Sequence, residues 1–335
     1  MRAIYLNKYG DANNAFELKE ALIPTPTANE VVIKVHSFGL NFADIVARRG
    51  LYPDAPKNPS ILGYDVSGIV HAIGNEISHV EEGDKVVAMT RFGGYAEYAV
   101  TMGEGVAKIP ANLDYAHATA LATQGCTAYY CSVDSVSLHK GDKVLIQAAA
   151  GGVGSLLVQI CQHFGCEIYG TASTSKLSYL KEIGVHHPID YTKEKFTSHI
   201  KDGIDVAFDS IGGKTFKDAF KLLKPGGKMV YFGAAAQING DKTNKLKAIG
   251  VGLGFGIFSP IPLLMKSQAL IGVNMLRIAD HKPNVLAHAL SKVVDYTTNG
   301  IIKPKVGKIF KAKNIAEGHA YLESRKSIGK VVMEW

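Results

Sequence analysis

Lys143-Val144-Leu145-Ile146-Gln147 leads, one residue on, into Ala149-Ala150-Gly151-Gly152-Val153-Gly154, and this stretch decides the fold. The first part is a short, largely apolar strand of the kind buried in a parallel sheet. Beyond it, Val153, Leu156, Leu157, Ile160 and Phe164 fall at i, i+3, i+4, i+7 and i+11, which makes one apolar helix face. Set against G-x-G-x-x-G, Ala149 replaces the first glycine, while Gly151 and Gly154 take the second and third places. Such a turn lets backbone approach a pyrophosphate closely, and the helix start aims free N–H groups and a dipole at the anion. An ordinary tight βα loop is the other reading, but a strand before and a helix after favour a dinucleotide held by Gly151, Gly152, Val153 and Gly154.

Outward from the turn the same rhythm continues. A strand is expected at Glu167–Thr171, a helix around Lys176–Ile183, and strands at Asp205–Asp209 and Lys228–Phe232. Alternation of this kind predicts a doubly wound parallel sheet covered by helices on both faces. The end of the second strand chooses the dinucleotide. An NAD site usually carries an acid there for the ribose hydroxyls, whereas Gly170-Thr171-Ala172-Ser173-Thr174-Ser175-Lys176 has none before Glu182. Ser173 and Lys176 suit a 2′-phosphate as donors to a dianion. Read alone, Ser173 is a helix cap and Lys176 a solvated helix residue; after a glycine turn at this distance they predict NADPH.

The N-terminal part reads differently. Val31–Val35, Gly68–Gly74 and Lys85–Met89 are β-branched runs separated by Asp, Gly and Pro joints, so residues 1 to about 110 form a compact, mostly β domain. The last part holds a helix with apolar Val285, Leu286, Leu290, Val293 and Val294 and ends in a strand, Lys330–Met333, that returns to the β domain. The 335 residues carry 37 Lys+Arg against 30 Asp+Glu, a net +7 that is scattered rather than clustered. That distribution excludes a nucleic-acid stripe and suits an anionic small molecule. Neither a signal h-region nor an apolar run long enough to span a bilayer is present, so no integral membrane segment and a cytoplasmic location are expected. The four cysteines, Cys126, Cys131, Cys161 and Cys166, form no C-x-x-C pair and read as small buried side chains. The 12 histidines show no triad pattern.

Four further marks join the glycine turn: Gly39-Leu40-Asn41-Phe42-Ala43-Asp44, Gly63-Tyr64-Asp65-Val66-Ser67-Gly68, Leu223-Lys224-Pro225-Gly226-Gly227, and Gly184-Val185-x-His187-Pro188-Ile189-Asp190-Tyr191. Together they resemble the zinc-independent medium-chain dehydrogenases/reductases of the NADPH:quinone oxidoreductase type, with the closest likeness to the vesicle amine transport protein branch. The resemblance implies α/β architecture: a GroES-like catalytic domain from residues 1–121 and 277–335 around a Rossmann domain at 122–276, with the active site in the cleft between. It puts Asn41, Tyr64 and Thr123 where zinc-dependent relatives carry Cys, His and Cys, a set unsuited to the usual tetrahedral zinc. The four-cysteine structural lobe is missing too, so no metal is expected. The resemblance further implies Asn41 and Tyr52 facing nicotinamide or substrate and Asp44 bracing their loop. Thr127 would lie by the nicotinamide ribose or diphosphate, Tyr191 against the adenosine, and Phe232 and Gly233 along the cofactor cleft.

Without a Lewis acid, an acceptor that spreads incoming charge by conjugation is the fitting substrate, which means quinones and α,β-unsaturated carbonyls. Tyr52 is the candidate proton donor; as part of Gly50-Leu51-Tyr52-Pro53 it also reads as a packed aromatic in a turn. The apolar segment Gly250–Met265, broken by glycines and prolines, reads as packing between domains or subunits, or as a hydrophobic mouth or peripheral membrane contact. The strand Leu270–Val273 resembles the edge through which relatives form homodimers. The alternative to a reductase is an NADPH-binding protein whose task is holding a lipid or protein partner with little turnover.

Overall fold

The computed structural model describes residues 1–235 and 259–335. Its strands in chain order are β1 (Arg2–Leu6), β2 (Phe16–Glu20), β3 (Glu30–Leu40), β4 (Ser60–Ile61), β5 (Asp65–Ile73), β6 (Lys85–Met89), β7 (Tyr98–Met102) and β8 (Val106–Lys108). Then follow β9 (Lys143–Ile146), β10 (Glu167–Ala172), β11 (His187–Asp190), β12 (Ile204–Asp209), β13 (Leu223–Tyr231), β14 (Ala269–Gly272), β15 (Val306–Lys311) and β16 (Lys330–Glu334). Met1–Cys126, Met275–Gly300 and Pro304–Trp335 make one unit, and Thr127–Asn274 with Ile301–Lys303 makes the other. Ile301–Lys303 joins the second because Gln159 Oε1 accepts from the Lys303 N–H at 2.7 Å.

In the first unit a seven-stranded sheet runs β15-β16-β3-β5-β6-β8, with β7 also on β3. The long strand β3 organises it: Glu30–Lys34 pairs with β7, Ser37–Leu40 pairs with β16, and β5 runs along the other edge. Register shifts between Val32 and Ile33 and between Val35 and Ser37 bend the strand so that it can serve all three neighbours. Its Val31, Ile33, Val35, Phe38 and Leu40 meet Val66, Val70, Val86, Val331 and Met333 in the core. Both ends of the chain therefore build this unit. The helix Pro283–Thr298 packs here as well, and Val293 sits so close that a Cβ on Gly125 would lie 2.7 Å from its Cγ1.

The second unit is a parallel six-stranded sheet in the order β11-β10-β9-β12-β13-β14. The chain moves outward from β9 to β11, then returns to β12 on the other side of β9. That reversal is the switch point at which doubly wound sheets open a crevice for ligands. The helix Gly152–His163 follows β9 directly, and Leu156, Leu157 and Ile160 are buried as the spacing required. Leu145, Ala207, Met229 and Phe216 share a buried cluster. β11 carries Pro188, which an edge strand tolerates because one side of it needs no partner.

An ion pair lies inside the first unit. Lys330 opens the otherwise apolar run of β16, is fully buried, and pairs with the equally buried Asp65 of β5. The pair fills the space beside Gly39 of β3, where a Cβ would overlap Lys330 Cε and Asp65 Oδ2. Removing one member of such a pair strands a charge at a cost of about 3–5 kcal/mol. Lys330→Met is accordingly expected to destabilise the first unit by roughly that amount in urea unfolding, and adding Asp65→Asn is expected to recover part of the loss. Equal and additive costs would show that the two groups do not support each other.

Candidate functional site

At the switch point the chain leaves β9 through Gln147 and turns at Ala148, whose φ of 52° puts an alanine in the left-handed region. The strained residue is thus Ala148, one position before the alanine that replaces the motif's first glycine. Thr171 supports it from β10: its Oγ1 accepts from the Ala148 N–H at 3.2 Å and donates to Gln147 Oε1 at 2.6 Å. Gly151 caps the helix without a side-chain bond, so the N–H groups of Gly152, Val153 and Gly154 open the first turn with no helical acceptor. At Gly154 a Cβ would overlap the Ala148 carbonyl and sit 2.8 Å from Ala149 Cα, so only glycine lets the helix start this close to the strand. Gln147 Nε2 and Asp209 Oδ2, buried at the ends of the two strands flanking the switch, have no hydrogen-bond partner among the described residues. This cradle fits a dinucleotide diphosphate.

The expected adenosine end surrounds the end of β10. Ser173 stands at the cap position of the turn Thr174–Lys176, yet its hydroxyl makes no capping bond. Lys176 is half-buried, and burial lowers its pKa. An acid that the sequence reading passed over comes close: Asp190, at the end of β11, accepts from the Thr174 hydroxyl, from the Thr192 N–H at 3.0 Å and from the Thr192 hydroxyl at 2.6 Å. Those hydroxyls hold its carboxyl below the ordinary range. Tyr191 beside it is exposed. Phe232 and Gly233 follow β13, where the Phe232 N–H bonds the Asp209 carbonyl at 3.0 Å. Thr127 is buried on the short helix Cys126–Tyr129, between the π-helical turns Leu121–Gly125 and Tyr130–Asp134, which the sequence did not foretell.

A second polar cluster belongs to the first unit. Asn41 caps the helix Phe42–Arg48, and its N–H donates to Asp44 Oδ2 at 2.8 Å. The Asn41 amide is anchored at both ends: Nδ2 donates to Asp65 Oδ1, and Oδ1 accepts from Lys330 at 2.9 Å and from Gln124 at 3.4 Å. The Thr123 hydroxyl reaches Asp65 Oδ1 at 3.0 Å. Asn41 and Thr123 therefore meet at Asp65, while the Tyr64 ring packs against Phe92 at 5.0 Å. Tyr64 is buried with its hydroxyl unpartnered among the described residues, and burial raises its pKa. Tyr52, half-buried, meets the Tyr64 ring edge-on at 6.4 Å. Asp44 is fully buried, and desolvation, with the nearby Asp65 charge adding to it, raises its pKa to about 7.

Among the described residues no three His, Cys, Asp or Glu side chains are grouped to hold a metal ion, and no helix is long and apolar enough to cross a membrane. A surface cavity of about 600 Å³ lined by Asn29, Glu76, His79, Glu104, Lys108 and Asp295 shares no residue with either cluster. Of the apolar segment 250–265, residues 250–258 lie outside the described residues. The remainder forms most of a helix, Pro260–Lys266, with Ile261, Leu264 and Met265 exposed.

Comparison with known proteins agrees with this fold. A family model for zinc-binding dehydrogenases matches residues 152–291, and one for the alcohol dehydrogenase GroES-like domain matches residues 27–111. The chain is 30% identical over 339 residues to the synaptic vesicle membrane protein VAT-1 homolog of Rattus norvegicus, covering 99% of this chain and 84% of that one. The quinone oxidoreductase of Escherichia coli, solved in complex with NADPH, superposes with a TM-score of 0.85 at 26% identity over 100% of both chains. The CurK enoyl reductase gives 0.86 at 26% identity over 99% of this chain and 98% of that one.

Asp44 yields a pH prediction. Its folded-state pKa is raised from 3.8 to about 7, so between those values the folded chain keeps a proton that the unfolded chain gives up. Its contribution to stability is complete at low pH and declines as pH rises toward 7, by about 1.4 kcal/mol per unit of offset. Asp44→Asn keeps an acceptor for the Asn41 N–H but does not titrate. Urea unfolding across pH is expected to show the variant gaining on the parent chain from about pH 4 to 7, then running parallel. A pH-independent difference would place the Asp44 carboxyl in its ordinary range.

Proposed function

The chain belongs to the zinc-binding dehydrogenase family of medium-chain dehydrogenases/reductases, among its quinone oxidoreductase-like members, and on that premise we propose that it is an NADPH-dependent, zinc-independent reductase of quinones or α,β-unsaturated carbonyls. The observation that carries the reading is the glycine turn at the switch point, followed by a second strand that ends without an acid. The Asp190 carboxylate beside that end is already occupied by Thr174 and Thr192. Ser173 and Lys176 are thereby assigned to a 2′-phosphate, and the first-turn N–H groups of Gly152, Val153 and Gly154 to the diphosphate. Thr127, Tyr191, Phe232 and Gly233 are assigned to the rest of the cofactor, as in the family resemblance.

Bound NADPH supplies a hydride. The chain's own residues supply position and hydrogen bonds. Asn41 is held at its oxygen and through one of its two Nδ2 hydrogens, which leaves an amide donor in a fixed orientation for an acceptor oxygen. The Tyr52 phenol is assigned the proton. Asn41, Tyr64 and Thr123 are an amide, a phenol kept protonated by burial and a hydroxyl that donates to Asp65, and none offers the thiolate or imidazole a zinc site draws on. Conjugated acceptors suit this arrangement because they delocalise the charge that a metal would otherwise hold.

A second reading rests on the exposed apolar Ile261, Leu264 and Met265 and on the relatives named as vesicle membrane proteins: an NADPH-binding protein that touches a membrane surface or holds a lipid or protein partner. Either reading carries a homodimer paired along β14, the last strand in the order of its sheet. Mixing the protein and NADPH with ortho-quinones, para-quinones, enals and enones separates the two. Loss of NADPH absorbance with one acceptor class, abolished in Gly154→Val, is expected. No loss in a sample that still binds NADPH would transfer the weight to the binding role.

A further inference from the structure

The helix that begins at the glycine turn ends in a way that brings two thiols together. Gly165 adopts φ +74°, the Cys166 N–H donates to the Cys161 carbonyl at 3.0 Å, and the Gly165 N–H donates to the Gln162 carbonyl at 2.8 Å. These are the two bonds of a Schellman cap, a motif that sets the side chain three places before the helix end against the one two places past it. An apolar contact usually fills those positions. Here they are Cys161 and Cys166, both buried and both free.

Cys166 is the member nearer solvent. Its Sγ lies 3.7 Å from the carbonyl of His139, whose own side chain is 75% exposed, and the Gly141 N–H closes the same loop onto Gly165 at 2.9 Å. One exposed turn therefore covers the thiol. Burial raises the Cys161 thiol, while the neighbouring Cys161 side chain holds Cys166 below the ordinary thiol range. Cys126 and Cys131 are buried with thiols pushed upward, and neither sits at such a cap.

We propose that Cys161 and Cys166 form a peroxide-responsive dithiol that closes into a disulfide across the cap of the helix Gly152–His163. In the first step the Cys166 thiolate attacks hydrogen peroxide. A sulfur–oxygen bond forms, the peroxide O–O bond breaks, and the released hydroxide takes up a proton to leave as water; the sulfur has lost two electrons to the peroxide. In the second step Cys161 sulfur attacks Cys166 sulfur. The S–S bond forms, the S–OH bond breaks, and the hydroxide leaves as water with the Cys161 proton. Two thiols and one peroxide thus give one disulfide and two waters. Thiol–disulfide exchange with an external dithiol reverses it.

The sequence makes the test direct, because no Lys or Arg lies between Lys143 and Lys176, and the tryptic peptide Val144–Lys176 carries both cysteines. The folded protein is treated with hydrogen peroxide, alkylated, digested without reductant and analysed by mass spectrometry. The expected peptide is lighter by two hydrogens and unalkylated at Cys161 and Cys166 until dithiothreitol is added. In Cys161→Ala the disulfide is lost and Cys166 is expected to accumulate as the sulfenic acid, trapped by dimedone. Free, alkylatable Cys161 and Cys166 after peroxide treatment, or Cys166 driven to sulfinic acid beside an alkylated Cys161, would overturn the proposal.

Discussion

The first unit depends on one buried ion pair. Lys330 and Asp65 sit on strands that reach the sheet from opposite ends of the chain, and both touch β3 at Gly39, where a missing Cβ leaves them room. The pair does more than close the sheet. Its two charges point at one amide: Asp65 takes the Asn41 Nδ2 hydrogen and Lys330 gives to Asn41 Oδ1. An asparagine between a carboxylate and an ammonium cannot flip, since either flip would set like against like. The helix Phe42–Arg48, the Asp44 brace and the Thr123–Gln124 turn are then arranged around a side chain of fixed orientation. Buried charges are costly, and what this cost secures is geometry.

The second unit solves a different problem, bringing a helix start to the mouth of a sheet. Gly154 permits the approach, and the strain of a left-handed Ala148 is borne by Thr171, which bonds both Ala148 and Gln147. Ser173 directly follows the same strand, so the residue that stabilises the turn and the residue assigned to a 2′-phosphate lie two positions apart. Asp190, at the end of β11, stands beside that strand end as an ionised acid. Its carboxylate is satisfied by hydroxyls of its own chain before any ligand arrives.

Much of this was legible in the sequence where the signal is local. The run Lys143–Gln147, the glycine turn and the apolar spacing through Ile160 sit within a few turns of one another, and the sheet and helix follow from them. The meeting of Asn41 and Thr123 follows from the family resemblance rather than from spacing. The cluster's organiser was not legible, because Lys330 meets Asn41 across 289 positions. Its one trace is a lysine at the head of the apolar Val331-Val332-Met333 run, matched by a glycine in β3. Asp190 escaped because β11 is short and carries Pro188, so it did not read as a strand, and only the parallel pairing of β10 with β11 brings the acid to Thr174. The Schellman thiols were visible as Cys-x₄-Cys with a glycine before the second cysteine, a pattern that gains meaning only once the helix end is known.

The assignment of the end of β10 to a 2′-phosphate decides the choice of cofactor. Calorimetric titration of the intact chain with NADPH and with NADH, at low ionic strength and again in high salt, tests it most directly. NADPH is predicted to bind at least about tenfold more tightly, with the advantage shrinking as salt screens Lys176. Equal affinity for the two, or tighter binding of NADH, would contradict the account.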